Sequence, residues 1–263
     1  MKLFDLTGKR ALITGGTHGL GMAMAKGLGD AGATLIINGS TPEKMEHALK
    51  VYKESGYNAK GYLFDVTDDT TAREFVDRIE KEVGPIDILI NNAGIIKRAP
   101  LLEVDTADFR KIIDVDLVGP FIMTKYVGKY MVKRNAGKII NICSMMSELG
   151  RDTIAAYAAA KGGLKMLTRN MATELARYNI QVNGIGPGYF ITAQTEAIRK
   201  DGHPLNEFII NRTPAGRWGT PEELMGAAIF LSSQASDFVN GHILYVDGGL
   251  LATIGKPGNE TNN

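Results

Sequence analysis

Short, unbroken apolar runs alternate with longer helical patterns along most of the chain. The runs lie at Arg10–Thr14, Thr34–Asn38, Lys60–Phe64, Ile86–Ile90, Lys138–Ile142, Gln181–Ile185 and His242–Val246. Their continuous apolar character predicts parallel strands covered on both faces. Helical patterns fill the intervals, for example over Gly19–Ala31, Thr70–Val83, Ala107–Lys133 and Ile154–Arg177. This alternation predicts an α/β fold: a doubly wound parallel sheet of about seven strands, helices on both faces and right-handed crossovers. No repeat, linker or composition break divides the pattern, so residues 1–255 read as one domain and the short polar stretch 256–263 as a flexible tail. Asp201 to Asn211 form a weakly patterned excursion of the length that lids often have.

Glycine placement adds chemistry to this frame. Thr14-Gly-Gly-Thr-His-Gly-Leu-Gly21 follows the first strand and opens the first helix. Glycines at 15, 19 and 21 permit a tight turn and bring backbone close to a pyrophosphate at a helix N-terminus. The spacing is Gly-xxx-Gly-x-Gly, not the commoner G-x-G-x-x-G. The turn residues Gly15, Thr17, His18, Gly19, Leu20 and Gly21 are therefore candidates for holding a dinucleotide. Ser40 and Thr41, at the end of the second strand, stand where a 2′-hydroxyl or 2′-phosphate would be recognised. No acidic residue is present there to repel a 2′-phosphate, and His18 can add partial positive charge. NADP is the preferred cofactor, with NAD possible. Asp65-Val66 ends the third strand where an adenine would lie. Asn91, Ala93 and Gly94, in Asn91-Asn-Ala-Gly94, let ribose and nicotinamide approach the fourth. A turn or helix cap accounts for either motif taken alone.

Tyr157 and Lys161 stand four residues apart on a predicted helix, with Ser144 thirteen residues before the tyrosine. Residues at this spacing share a face. A free phenol ionises near pH 10, and lowering that to about 7 takes roughly 4 kcal/mol. A lysine cation about 4–5 Å away at an effective dielectric near 20 supplies about that much. The pair reads as a general acid/base, with Ser144 as a hydroxyl donor to a substrate oxygen.

Bulk properties narrow the setting. Thirty Lys and Arg against twenty-nine Asp and Glu give no support for binding nucleic acid or anionic membrane through net charge. No stretch has the length of a membrane span or a signal peptide, so a soluble cytoplasmic protein is expected. Cys143 is the only cysteine, which fits a reducing compartment. His47, His203 and His242 show no metal-ligand spacing, and no metal is expected.

Taken together, Thr14–Gly21, Asn91–Gly94, Ser144, Tyr157, Lys161, Pro187-Gly188 and Val246-Asp-Gly-Gly249 resemble the short-chain dehydrogenase/reductase family over essentially the whole chain. The resemblance implies a Rossmann-type sheet, hydride transfer between nicotinamide and a carbonyl/hydroxyl carbon, and a homotetramer. It implies that Tyr157 is the acid/base, that Lys161 also holds the nicotinamide ribose, and that Ser144 positions the substrate oxygen. Pro187, Gly188 and Thr192 would flank the carboxamide. Asp116 departs from the family's usual asparagine, and its backbone carbonyl could still hold a relay water. A non-catalytic NADP(H) sensor or scaffold is the alternative of another class, and the intact Ser144/Tyr157/Lys161 set argues against it.

Closer resemblance is to the gluconate 5-dehydrogenase branch, carried by residues 91–98, 140–151 and 213–219. It implies a sugar-acid partner, gluconate and its 5-keto form, with the keto-deoxygluconate dehydrogenases as the neighbouring branch. Such a substrate needs a cation for its carboxylate, and arginine's planar fork suits one. Arg98 is the preferred ligand and Arg151 the second, both after strand ends, while Lys97 is a further basic neighbour. Glu148 and Tyr189, with Ser147, are candidates for contacts to sugar hydroxyls. Met145 and Met146 read as packing, and Arg217 and Trp218 as structural or subunit contacts.

Overall fold

A computed structural model describes residues 2–200 and 202–255; the stretch expected to be a tail lies outside the described residues. Seven strands form one parallel sheet: β1 (Arg10–Ile13), β2 (Thr34–Gly39), β3 (Ala59–Leu63), β4 (Ile88–Asn91), β5 (Gly137–Ile142), β6 (Ile180–Pro187) and β7 (Ile243–Val246). Their order is β3-β2-β1-β4-β5-β6-β7. Ala11 of β1 pairs with Leu35 of β2 on one side and Ile88 of β4 on the other. The chain therefore winds outward from β1 and returns to begin again at β4. The loops leaving these two strands part in opposite directions and open a crevice at their carboxyl ends.

Alternate residues of each strand feed two apolar layers, which explains why the strands read as unbroken apolar runs. Ala11 and Ile13, with Ile37, Ile90 and Ile140, pack under helices α1 (Gly19–Asp30), α2 (Pro42–Glu54) and α8 (Met225–Ser232). Leu12, Ile36, Leu89 and Ile139 face the opposite layer, covered by α3 (Asp69–Glu82), α5 (Gly119–Arg134) and α6 (Ala155–Leu175). Buried Tyr52 of α2 donates its hydroxyl to Gly16 O at 2.7 Å, tying the first layer to the glycine turn. Losing that donor would leave a buried carbonyl unpaired, at about 1–3 kcal/mol.

The long helix expected over Ala107–Lys133 is instead three pieces. α4 (Thr106–Ile113) runs into a π-helical segment, Asp114–Val118, before α5 begins. Gly119 N–H bonds to Asp114 O, five residues back, and the wider turn rotates Asp116 into the protein. The excursion after β6 also takes regular form. Ala193–Arg199 is 3-10 helix, and α7 (Pro204–Arg212) follows, with Pro204 in its first turn and His203 Nδ1 accepting from Leu205 N–H.

Candidate active site

At the crevice between β1 and β4 lies a cleft of about 280 Å³. Its wall is built from the turn after β1, the loops after β4 and β5, the first turns of α6 and the loop after β6.

The glycine turn forms the first wall. Gly15 has φ +62 and Gly19 φ +56, conformations that suit glycine. Gly21 is tightest: an added Cβ would stand 2.4 Å from Asn92 Nδ2 and 2.5 Å from Gly15 O. Asn92 Nδ2 donates to Thr14 O and Gly15 O, and Thr14 Oγ1 accepts from the N–H groups of Asn92 and Ala93. The start of α1 has no side-chain cap, so its first N–H groups face the cleft. Such a terminus favours an anion. His18 sits exposed at this mouth; partial desolvation, then the charge of Lys44, pulls its pKa below the usual value. The cradle thus fits a dinucleotide pyrophosphate.

Ser144, Tyr157 and Lys161 meet on the opposite wall. Ser144 Oγ caps the turn Met145–Ser147 by accepting from Met146 N–H at 3.1 Å, which leaves its proton to donate. Ser147 is used inside the scaffold, its hydroxyl donating to Lys161 O. Lys161 lies one turn after Tyr157 on α6, its Nζ 5.5 Å from the tyrosine ring centre. That ammonium is buried, donates to Ile142 O at 2.9 Å and stands 3.2 Å from Asp116 Oδ2. Burial alone would draw the Lys161 pKa down; the charges of Asp116, Tyr157 and Cys143 reverse this, and the net displacement is upward. Burial pushes the Asp116 carboxyl above the usual carboxylate range, against the pull of Lys161 and the Ile95 N–H. The Cys143 thiol, behind them, is pushed up to about 11 by burial.

The third wall carries the arginines. Arg98 and Arg151 both line the cleft. The loops that bear them are joined by Ala99 N–H donating to Thr153 O at 3.0 Å. Thr153 has φ +69, a strained setting for a β-branched residue, and it holds this junction. Tyr189 hydrogen-bonds Arg151 Nη1 at 3.0 Å and lies under its guanidinium. Burial, then the charge of Arg151, lowers the Arg98 pKa. Among the described residues no carboxylate lies within ion-pair distance of either arginine. Two neighbouring cations without a counter-ion among the described residues, backed by Met145, Met146, Ile96 and Ile154, have the chemistry that suits a small carboxylate.

Of the residues singled out in the sequence, Gly15, His18, Gly19, Leu20, Gly21, Ala93, Gly94, Arg98, Asp116, Ser144, Arg151, Tyr157, Lys161, Pro187, Gly188, Tyr189 and Thr192 all line the cleft. Others do not reach it. Glu148 turns outward, bonded to Lys165 and to the Tyr245 hydroxyl. Asn91 points into the core, where Nδ2 donates to Asn141 Oδ1 of the next strand. Thr17 is buried within the turn against Gly39, and Val66 is buried against Gly119. The Asp65 carboxylate accepts from Thr67, while Ser40 and the α2 cap Thr41 stand at the sheet edge outside the cleft wall. Lys97 pairs with Asp108. Sequence reasoning missed Asn92, Ile96, Ile154 and Gln194, which also line the cleft. Asn92 was signalled by its place inside the Asn-Asn-Ala-Gly motif; Gln194, in the short 3-10 helix after β6, carried no signal.

Residues 15–251 match the family model described as Enoyl-(Acyl carrier protein) reductase. The chain belongs to this family of short-chain dehydrogenases/reductases. It is similar to the 2-dehydro-3-deoxy-D-gluconate 5-dehydrogenase of Formosa agariphila, 68% identical over 98% of both chains. It is 52% identical to the 5-keto-D-gluconate 5-reductase of Escherichia coli K12, over 96% of this chain and 99% of that one. Among solved structures, a gluconate 5-dehydrogenase from Burkholderia cenocepacia J2315, in complex with NADP and tartrate, matches with TM-score 0.92 and 47% identity, covering 96% of this chain and 99% of that one.

Proposed function

We propose that the protein is an NADP(H)-dependent oxidoreductase that interconverts a hydroxyl and a keto group at C5 of a six-carbon sugar acid, with D-gluconate and 5-keto-D-gluconate as the substrate pair. The observation that carries the reading is the convergence of Ser144, Tyr157 and Lys161 with the unpaired Arg98 and Arg151 in one cleft. The glycine turn, the α1 terminus, Pro187, Gly188 and Thr192 would hold the cofactor, which when bound supplies or accepts the hydride. Arg98 and Arg151 bind the carboxylate and set which carbon reaches the catalytic end. The Ser144 hydroxyl donates to the reacting oxygen, and Tyr157 gives it a proton in reduction or takes one in oxidation. Lys161 holds positive charge beside the phenol and offers N–H groups toward a ribose. Ser40 and Thr41, with Lys44 near His18, are the groups that would meet a 2′-phosphate. The NADP and tartrate of the Burkholderia complex, tartrate being a small hydroxy acid, support both halves of the reading.

A second substrate, 2-dehydro-3-deoxy-D-gluconate, is favoured by the 68% identity to the Formosa enzyme. The apolar wall of Met145, Met146 and Ile154 also suits a methylene in place of a sugar hydroxyl. The reading extends to a homotetramer in the cytoplasm, checked by a light-scattering mass of four chains.

Absorbance at 340 nm with each sugar acid or keto acid and each cofactor tests the assignment. The expected result is faster turnover with NADP(H) than NAD(H), abolished in Tyr157→Phe. Arg98→Ala should raise the sugar-acid KM about tenfold or more, the loss of one charge-assisted bond of about 1.5–3 kcal/mol. Tight cofactor binding with no turnover on any of these acids would favour a sensor instead.

A further inference from the structure

Asp116 is wholly buried, yet it sits beside a lysine that is itself buried. One of its oxygens accepts a hydrogen bond, and the other makes none but neighbours a cation. Oδ1 accepts from Ile95 N–H at 2.8 Å, and Oδ2 stands 3.2 Å from Lys161 Nζ. Gly94 closes the space: a Cβ there would lie 3.0 Å from Oδ2. An amide at position 116 would fill the same volume but offer only one acceptor oxygen, so either Ile95 or Lys161 would face an N–H group. Carboxylate and amide thus differ here in charge and acceptor count, not in shape.

We propose that Asp116 is a positioning residue whose carboxylate keeps Lys161 charged and aimed at the cleft, placing the enzyme's working pH range higher than a neutral amide at this position would. The proposal rests on the reading of Tyr157 as the acid/base group. The other ionisable groups facing the pair come from several elements. Tyr157 precedes Lys161 on α6, Cys143 follows β5, and Arg98, in the loop after β4, bears on Tyr157. Lys165, a turn further along α6, is paired with Glu148. On α4 and the π segment, Arg110, Lys111 and Asp114 are exposed, and β6 contributes no ionisable side chain. Asp116 is therefore the only carboxylate within ion-pair distance of the Lys161 ammonium among the described residues. Removing an anion makes every nearby proton easier to lose, so both limbs of the activity profile must move the same way.

The test is kcat/KM against pH for Asp116→Asn with NADP(H) and the sugar acid that the wild type turns over. Both limbs are expected to move to lower pH, by about one unit for a charge a few ångströms from the reacting groups. KM at the optimum should change less than threefold, and Asp116→Glu should return the limbs part of the way. Lost activity with the limbs unmoved would overturn the proposal, since a purely structural role predicts that result. A second measurement needs no turnover. Lys161→Met leaves Asp116 buried without its cation, so the carboxyl pKa rises further above its unfolded value. Its stabilising contribution is then present at low pH and lost as pH rises through the folded value. The melting temperature of Lys161→Met should therefore fall, relative to wild type, between pH 5 and pH 8; parallel curves would also overturn the proposal. A wild type inactive on every sugar acid, with that stability difference intact, would sink the substrate reading and leave the ion pair standing.

Discussion

Single residues carry the site's tolerances, and Gly21 shows how narrow they are. A methyl group there must displace either the Asn92 amide or the Gly15 carbonyl, and both belong to the turn that faces the cleft. Gly21→Ala is expected to cost about 1–3 kcal/mol of stability by overpacking and to weaken NADP(H) binding about tenfold or more. Thermal melts and fluorescence titration measure the two effects. The glycines and the Ser144/Tyr157/Lys161 set, which meet in the cleft, were picked out in sequence by their spacing. Asn91 and Glu148 were not. Each is polar and close in sequence to the site, but side-chain direction decides whether such a group meets ligand or protein. Asn91 turns to Asn141 and Glu148 to Lys165, partners 50 and 17 residues away in the chain.

At the scale of elements, the segment Arg217–Gly219 shows a scaffold acting on the site from behind. It runs beside Tyr189–Ile191, with Gly219 N–H donating to Tyr189 O and Ile191 N–H to Gly219 O. Trp218 packs edge-on against Tyr189 at 5.4 Å and donates to Asn206 Oδ1, so it braces the ring beneath Arg151. The brace is closed by Glu223, which takes both Arg217 nitrogens and the Thr220 N–H. Those bonds lower the Glu223 pKa from 4.5 to about 2. A depressed carboxyl stabilises the fold above its unfolded pKa and ceases to do so as pH falls through the folded value. Glu223→Gln should therefore melt below the wild type at pH 5–7, with the gap closing as pH approaches 2; a gap independent of pH would show that charge is not what matters. The π segment is a second case. Helical periodicity continues through Asp114–Val118, so sequence reading ran one helix across it. The extra residue in the turn is set by what Asp116 meets on the far side, Ile95 and Lys161.

Across the whole molecule, the sheet order places the glycine turn and helix α6, with Tyr157 and Lys161, on either side of one crevice, although they are over 130 residues apart in sequence. Ligand binding there should stabilise the entire fold. NADP(H) at about a hundredfold excess over its Kd is expected to raise the melting temperature by about 5 °C or more. NAD(H) at the same concentration should raise it less, and equal shifts would remove the cofactor preference. The strands, most helices and the candidate reacting groups were legible in the sequence alone, because apolar periodicity and motif spacing are local properties of the chain. Only the tertiary structure decided which polar groups face the cleft, how Arg98 and Arg151 come to share a wall, and that Asp116 is paired with Lys161. Those outcomes depend on contacts between segments distant in the chain, and on a helix irregularity that brings Asp116 to Lys161 and that a local pattern does not encode.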